Sequence, residues 1–373
     1  MSLDLSLTKS EEMLKSTTLD FLEREIPRET LEALLDSDTG TTETILKKVA
    51  DIGWLGLIIP EEYGGIGYPL TTAGVLFEAL GSWPLPGPYF SSGILGSQIV
   101  MEAGTEEQKQ QLLPEVATGN IVLTLALTEP EYSWDPEGVK ATASSDADGF
   151  VLNGVKLFTP DAQAATYFIV VARTDRGISL LVVEKKTAGV KLRRLPGFLA
   201  GRTFEVTFDS VKVPSSALLG TMDEGWKALE KAITRSIPVL CAYKVGGCQA
   251  IFDLALKYSR ERVQFSQPIG RFQRVQDMII EMITHADAAR WTTYEALWKL
   301  DTQQPMAESV HLAKAVASEA YWQVCTLGHR VFSGVSYSME HTVSFHTRTS
   351  RHLYNVLGEP SYHRQQIAAR LLS

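Results

Sequence analysis

Disulfides, membrane spans, repeats and excess positive charge are what this 373-residue sequence lacks. Its three cysteines, Cys241, Cys248 and Cys325, are an odd count at spacings that build no disulfide framework. They predict ordinary packed thiols in a reducing, cytoplasmic setting. No apolar run approaches ~18 residues, which argues against a transmembrane helix. The start, Met-Ser-Leu-Asp-Leu-Ser-Leu-Thr, has neither the basic segment nor the apolar stretch of a secretory leader. Lys and Arg number 35 against 44 Asp and Glu, a formal charge of −9, so a nucleic-acid partner is not expected. The five histidines from His329 to His363 lack the paired spacing of metal ligands.

What is present is an all-β stretch between two helical ones. From Ile121 to Gly220, short runs rich in Val, Ile, Thr and Phe are bounded by Gly, Asp and Pro. Gly149-Phe-Val-Leu-Asn-Gly-Val-Lys-Leu-Phe and Tyr167-Phe-Ile-Val-Val-Ala-Arg are two of them. Such runs read as antiparallel strands. Before them the helical period holds, with helices over Glu43 to Ile52, Thr71 to Leu80 and Ile94 to Ala103, and hydroxyl caps at Thr8 and Thr105. Five glycines between Gly53 and Gly67, with Pro60 among them, cannot hold a helix. They predict a connector with close backbone approach, most simply a tight loop between packed helices. After Gly220 the helical period returns over Glu224 to Gln264, Arg271 to Leu300, Met306 to Phe332, and Thr342 to Leu372, the last broken at Gly358 and Pro360. Their wide apolar faces fit a four-helix bundle with surface left for oligomer contacts. The expected architecture is mainly α with an all-β middle domain. An N-terminal helical domain (1–120) precedes a small antiparallel β domain (121–221) and a C-terminal four-helix bundle (222–373).

Four segments, in this order, add a chemistry: Trp54-Leu-Gly-Leu-Ile-Ile-Pro-Glu-Glu-Tyr-Gly-Gly-Ile-Gly; Leu125-Ala-Leu-Thr-Glu-Pro; Glu205-Val-Thr-Phe-Asp-Ser-Val-Lys-Val-Pro; and Arg262-Val-Gln-Phe-Ser-Gln-Pro-Ile-Gly-Arg-Phe-Gln. Each is moderately specific alone; together, at these spacings, they resemble the acyl-CoA dehydrogenase family over essentially the whole chain. The resemblance implies FAD between the β domain and the bundle, an acyl-CoA substrate, and electron-transfer flavoprotein or a similar acceptor. It also implies a homo- or hetero-oligomer with a homologous subunit. In the family a base takes the Cα proton while flavin N5 takes the Cβ hydrogen as hydride, giving a trans-2-enoyl-CoA. By the same resemblance Leu125, Leu127 and Thr128 lie along the isoalloxazine, Phe158 stacks near it, and Thr159 (or Pro160) holds the place of a hydroxyl near N5. Arg262 matches an arginine that reaches a neighbouring subunit's pyrophosphate, a task suited to forked guanidinium donors. Phe265 and Gln273 match residues on the adenosine side, and Ser333 and Gly334 stand at a Gly-Gly pair against the neighbour's FAD, with Arg330 replacing a usual glutamine.

The substrate side departs from the family pattern. Where a Gly-Ser-Asp commonly follows Thr-Glu-Pro, this sequence has Glu131-Tyr-Ser-Trp-Asp, with Trp134 at the serine and Ser133 as a substitute only in a shifted turn. Counting back from Arg370 puts Gly358 at the usual catalytic glutamate, with Glu359 next to it. The alternative family position, on the long bundle helix, holds Ser236. A carboxylate matters because thioester α-protons are weak acids whose removal needs a base within hydrogen-bond reach. Two expectations follow: an acyl-CoA dehydrogenase with Glu359 as base, or a base-less subunit whose homologous partner supplies the glutamate. The concentration of changes on the substrate side favours the second. Another flavin oxidation on the same fold, such as nitroalkane oxidation or hydroxylation, is a third. Glu340 reads as structural.

Overall fold

The computed structural model describes residues 6–195, 197 and 203–372; residues 1–5, part of the start read for a leader, lie outside them. Helix α1 (Lys9–Glu25) begins at a capping box in which Thr8 Oγ1 accepts the Glu11 N–H at 3.3 Å and the Glu11 carboxylate accepts the Thr8 N–H at 2.9 Å. Helices α2 (Arg28–Asp36), α3 (Glu43–Asp51) and α4 (Leu70–Ser82) follow, then α5 (Ser97–Ala103) and α6 (Glu106–Ala117). The helix expected from Ile94 starts earlier, as a π-helical stretch over Tyr89–Gly96. Such wide turns are frequent at functional sites. The glycine-rich connector is a tight loop around a single 3₁₀ turn, Glu61–Tyr63, and lines neither cavity described below.

Strands β1 (Leu123–Ala126), β2 (Thr142–Asp146), β3 (Gly149–Pro160), β4 (Tyr167–Arg173), β5 (Ile178–Glu184), β6 (Val190–Arg194), β7 (Thr203–Pro214) and β8 (Leu218–Leu219) form one sheet, ordered β6-β7-β3-β2-β4-β5-β8 with β1 beside β4. Most ladders are antiparallel, as expected. β1, however, pairs with β4 in parallel, Leu123 opposite Tyr167 through Ala126 opposite Val170, and β2 meets β4 in parallel at Thr142 and Arg173. All four β1 residues are buried, so no alternation existed in the sequence to reveal the strand's setting.

The C-terminal part consists of α7 (Gly225–Glu261), α8 (Gln273–Asp301) and α9 (Ala307–Phe332), with α10 (Thr342–Tyr354) and α11 (Pro360–Leu371) packed on α9. Helix α4 lies along α7. At their crossing a Cβ on Gly81 would strike the Tyr243 carbonyl, and one on Gly246 the Glu78 carbonyl. Backbone contact there sets Phe77 and Leu80 beside Leu240 and Tyr243. By length and composition α7 could cross a membrane, which the sequence reading did not anticipate; 61% of its apolar window is buried within the protein. Cys241 and Cys248 on α7 and Cys325 on α9 are free and buried.

Candidate active site

A cavity of about 660 Å³ opens where the three parts of the chain meet. That is within the ~300–1,000 Å³ usual for small-molecule sites. The N-terminal part contributes Phe77, Leu80, Pro84 to Gly87 and Tyr89 to Ser91; the sheet contributes Leu125, Leu127, Thr128, Phe158 and Pro160; α7 and the end of α10 close it. Four lining residues other than glycine adopt left-handed backbone, Tyr132 (φ 52), Phe158 (φ 53), Asp161 (φ 50) and Leu357 (φ 58). Each costs an L-residue roughly 1–2 kcal/mol, strain that gathers at functional sites.

A buried ion pair builds the sheet side. Lys156 Nζ donates to the Glu129 carboxylate at 2.6 Å and to Leu127 O at 3.2 Å, and the Leu157 N–H donates to Thr128 O at 2.7 Å. Glu129 also accepts the Lys140 and Ala141 N–H groups at 2.9 and 3.1 Å. The segment Leu127–Glu129 is thereby fixed to β3, which holds Thr128 near Phe158. Burial pushes the Lys156 ammonium down to about 8, with Glu129 holding its proton against that. Asp161, the one acidic lining residue among those described, accepts from Ser91 Oγ at 2.7 Å.

The opposite wall ends in a turn between α10 and α11. Leu357 (φ 58) and Gly358 (φ 98) reverse the chain. Lys314 Nζ on α9 donates to Gly358 O at 2.6 Å, Tyr354 O at 3.2 Å and Ser318 Oγ at 3.2 Å; Lys244 on α7 donates to the same Ser318 Oγ at 2.7 Å. Neither buried lysine forms an ion pair among the described residues. Burial pushes Lys244 down to about 8, and burial with Lys244 nearby pushes Lys314 well below the usual lysine range. Either change ends the repulsion between the two lysines, but Lys314→Met also strips the buried Gly358 carbonyl and the part-buried Tyr354 carbonyl of their donor, at up to about 1–3 kcal/mol each. Urea unfolding is expected to show Lys314→Met less stable than Lys244→Met by several kcal/mol; equal midpoints would deny Lys314 its role under the turn.

Histidines also support this turn. His363 Nε2 lies 2.9 Å from Leu357 O, so it carries the proton, and Nδ1 accepts from His311 Nδ1 at 2.8 Å. Burial first, then Lys314, pushes His363 down to about 3, and burial does the same to His346 beside Tyr321. A folded pKa below the unfolded value of about 6.5 means the unfolded chain binds the proton first. Stability is therefore whole above pH ~6.5 and falls as pH drops towards ~3, by about 1.4 kcal/mol per unit for each histidine. Unfolding titrations between pH 7 and 4 test this; a flat profile would contradict it.

The same turn explains a sequence anomaly. A Cβ on Gly358 would lie 2.7 Å from His363 Nε2 and 2.8 Å from Tyr362 Cδ1, so no side chain fits there. Glu359, half-buried at the N-cap of α11, makes no capping bond. Ser361 Oγ reaches its Oε1 at 3.4 Å, and Oε2 is buried without a partner. Burial, and secondarily the Glu359 charge, raises the pKa of the cavity-lining Tyr132. A buried carboxylate oxygen without a donor is uncommon, and a water, an ion, a ligand or a catalytic role would each account for it.

Comparison with known proteins bears on this geometry. Residues 8–120, 124–211 and 223–372 match the family descriptions "Acyl-CoA dehydrogenase" N-terminal, middle and C-terminal domain. The chain belongs to the acyl-CoA dehydrogenase family. It is 30% identical to the 3-(aryl)acrylate reductase of Clostridium sporogenes, covering 98% of this chain and 99% of that one. It is also 30% identical to the probable acyl-CoA dehydrogenase YngJ of Bacillus subtilis, over 99% and 100%. The butyryl-CoA dehydrogenase structure from Megasphaera elsdenii superposes with a TM-score of 0.92 at 26% identity, covering 100% of both chains.

Leu125, Leu127, Thr128 and Phe158, the residues that the resemblance sets along a flavin ring, all line this cavity. Thr159 lies between the lining residues Phe158 and Pro160, and its Oγ1 is buried with no partner, a donor left for a bound group. The structure does not bring the remaining expected residues to this cavity. Arg262, Ser333 and Gly334 line a second one of about 670 Å³, and no residue lines both. Phe265 is 88% exposed, Gln273 is exposed at the start of α8, and neither lines either of these two cavities. Glu359 lies beside the first cavity's wall and is not part of its lining. Ser133 Oγ accepts the Asp135 N–H within its own turn, and Ser236 Oγ donates to Ala232 O within α7; neither residue lines the cavity. The sequence reading missed Lys156, Asp161, Lys244 and Lys314. An inward lysine in an apolar strand or helix gives no pattern until its neighbours are known.

Proposed function

We propose that this chain is an FAD-dependent acyl-CoA dehydrogenase that desaturates a thioester between Cα and Cβ, with Glu359 as its base. The observation that carries the reading is the unpartnered Glu359 Oε2 at a turn where residue 358 admits no side chain. Leu125, Leu127, Thr128, Phe158 and Thr159 would hold the flavin ring, and FAD, when bound, supplies the acceptor for the Cβ hydrogen and its electron pair. Glu359 removes the Cα proton: the C–H bond breaks and an O–H bond forms on the carboxylate. A solved relative described as an FAD complex of PigA, 25% identical over 99% of the chain, supports the cofactor.

Arg262, Ser333 and Gly334, apart from the flavin cavity, serve a second subunit's FAD in this reading, which makes the active assembly an oligomer. Electron-transfer flavoprotein is the proposed acceptor; a 30% identical relative is named as a subunit of a caffeyl-CoA reductase–Etf complex. Three buried free thiols suit a cytoplasmic location.

The second reading, a homologous partner supplying the base, is favoured by the absence of Glu359 from the cavity lining. Incubating the purified, FAD-loaded chain with acyl-CoAs and an artificial electron acceptor separates the two. Enoyl-CoA from the chain alone supports Glu359. Product only after co-expression with a glutamate-bearing homologue supports the partner, and no product in either case contradicts both.

A further inference from the structure

We propose that the acyl group taken by this cavity carries a neutral ring, aryl or alicyclic, and that Trp134 selects for it; this rests on the acyl-CoA reading above. Phe158, Tyr132, Trp134 and Tyr362 form a continuous row of rings from β3 to α11. Their centroids are 6.2, 6.0 and 6.3 Å apart, with the first two pairs edge to face. The first three line the cavity. Across from them Phe77 and Phe90, 6.1 Å apart and edge to face, line its N-terminal side. An added ring meeting such faces and edges gains roughly two- to tenfold in affinity per pair beyond the apolar area it buries.

The wall holding these rings is stiff. The run Trp83-Pro-Leu-Pro-Gly-Pro has its φ angles fixed at three prolines. It is pinned by Tyr243 Oη donating to Leu85 O at 3.1 Å and Trp83 Nε1 donating to Ile26 O at 2.8 Å. Tyr132 and Phe158 are locked in left-handed backbone. A rigid group loses little freedom on entering such a site, whereas an alkyl chain must be ordered over many torsions. The lining offers little charge to a substrate's tail. Asp161 is engaged by Ser91, and the Arg351 guanidinium lies over Trp322, which is not part of the cavity.

Trp134 occupies the centre of the row, where the family commonly has a serine. Its Nε1 is buried and has no partner, so a ring oxygen or π face in the cavity would supply what the protein does not.

The test compares nine-carbon acyl groups on the FAD-loaded protein by calorimetric titration. 3-Phenylpropanoyl-CoA is expected to bind about tenfold more tightly than nonanoyl-CoA, with 3-cyclohexylpropanoyl-CoA, rigid but without a π face, between the two. Trp134→Leu should reduce that preference to threefold or less with FAD still bound, and Trp134→Phe should keep most of it. Nonanoyl-CoA binding as tightly as the ring thioesters overturns the proposal while leaving the acyl-CoA reading intact. A preference untouched by Trp134→Leu overturns the role of Trp134. Binding of none of the three removes the acyl-CoA reading and the proposal with it. Should Trp134→Leu fail to fold, the wild-type ratio and Trp134→Phe still decide.

Discussion

Replacing Glu359 with glutamine is expected to leave FAD and acyl-CoA binding in place and to slow flavin reduction by the substrate about 100-fold or more. The amide keeps the shape of the side chain and loses the proton acceptor. Stability should hardly change. Glu359 makes no capping bond to α11, so only its favourable charge at a helix N-terminus is lost, about 0.3–1 kcal/mol. Rapid-mixing absorbance of the flavin, together with deuterium exchange at Cα in heavy water, reads the effect. A variant that exchanges and reduces at the wild-type rate places the base elsewhere, and Asp161, the acidic residue in the lining, is then the next position to change. A wild type that reduces its flavin only beside a glutamate-bearing homologue assigns the base to that partner.

The second large effect concerns cofactor retention. Arg262→Ala is expected to lower FAD affinity about tenfold or more, because a charge-assisted hydrogen bond to phosphate is worth roughly 1.5–3 kcal/mol. Among the described residues Arg262 forms no ion pair, and it lines the second cavity with Ser333 and Gly334. Arg235, by contrast, is already engaged by Gln98 at 3.2 Å and Glu102 at 3.7 Å. Arg235→Ala therefore serves as a control that should keep its FAD. Dialysis against FAD-free buffer, followed by the visible spectrum, measures both. Equal retention would mean that the pyrophosphate lies away from Arg262. If the arginine acts on a neighbouring subunit's cofactor, the loss should also deepen on dilution below the concentration at which the oligomer dissociates.

The helical and β parts were legible because their periods differ and their caps are local: Thr8 and Thr105 mark helix starts that the structure reproduces as capping boxes. One wall of the cavity was legible as well: Leu125, Leu127 and Thr128 belong to a segment that carried the resemblance, Phe158 was assigned beside them through it, and all four line one cavity. The parallel setting of β1 was not, because a strand buried on both faces has no alternation to read. The meaning of Gly358 was also hidden. Counting residues put a glycine where a glutamate was expected, and only the positions of His363 and Tyr362 show why no side chain fits there. Arg262 was matched by motif to a neighbouring subunit's cofactor, and it lines a cavity separate from that of Thr128 and Phe158.

The most direct measurement is an anaerobic titration of the purified protein, in its native assembly, with an acyl-CoA while the visible spectrum is recorded. The account predicts a yellow protein whose FAD bands fade on addition of the thioester, with the matching enoyl-CoA recovered from the mixture. A protein that cannot be loaded with FAD, or a loaded one whose bands no acyl-CoA alters, alone or with a homologous partner, would contradict it.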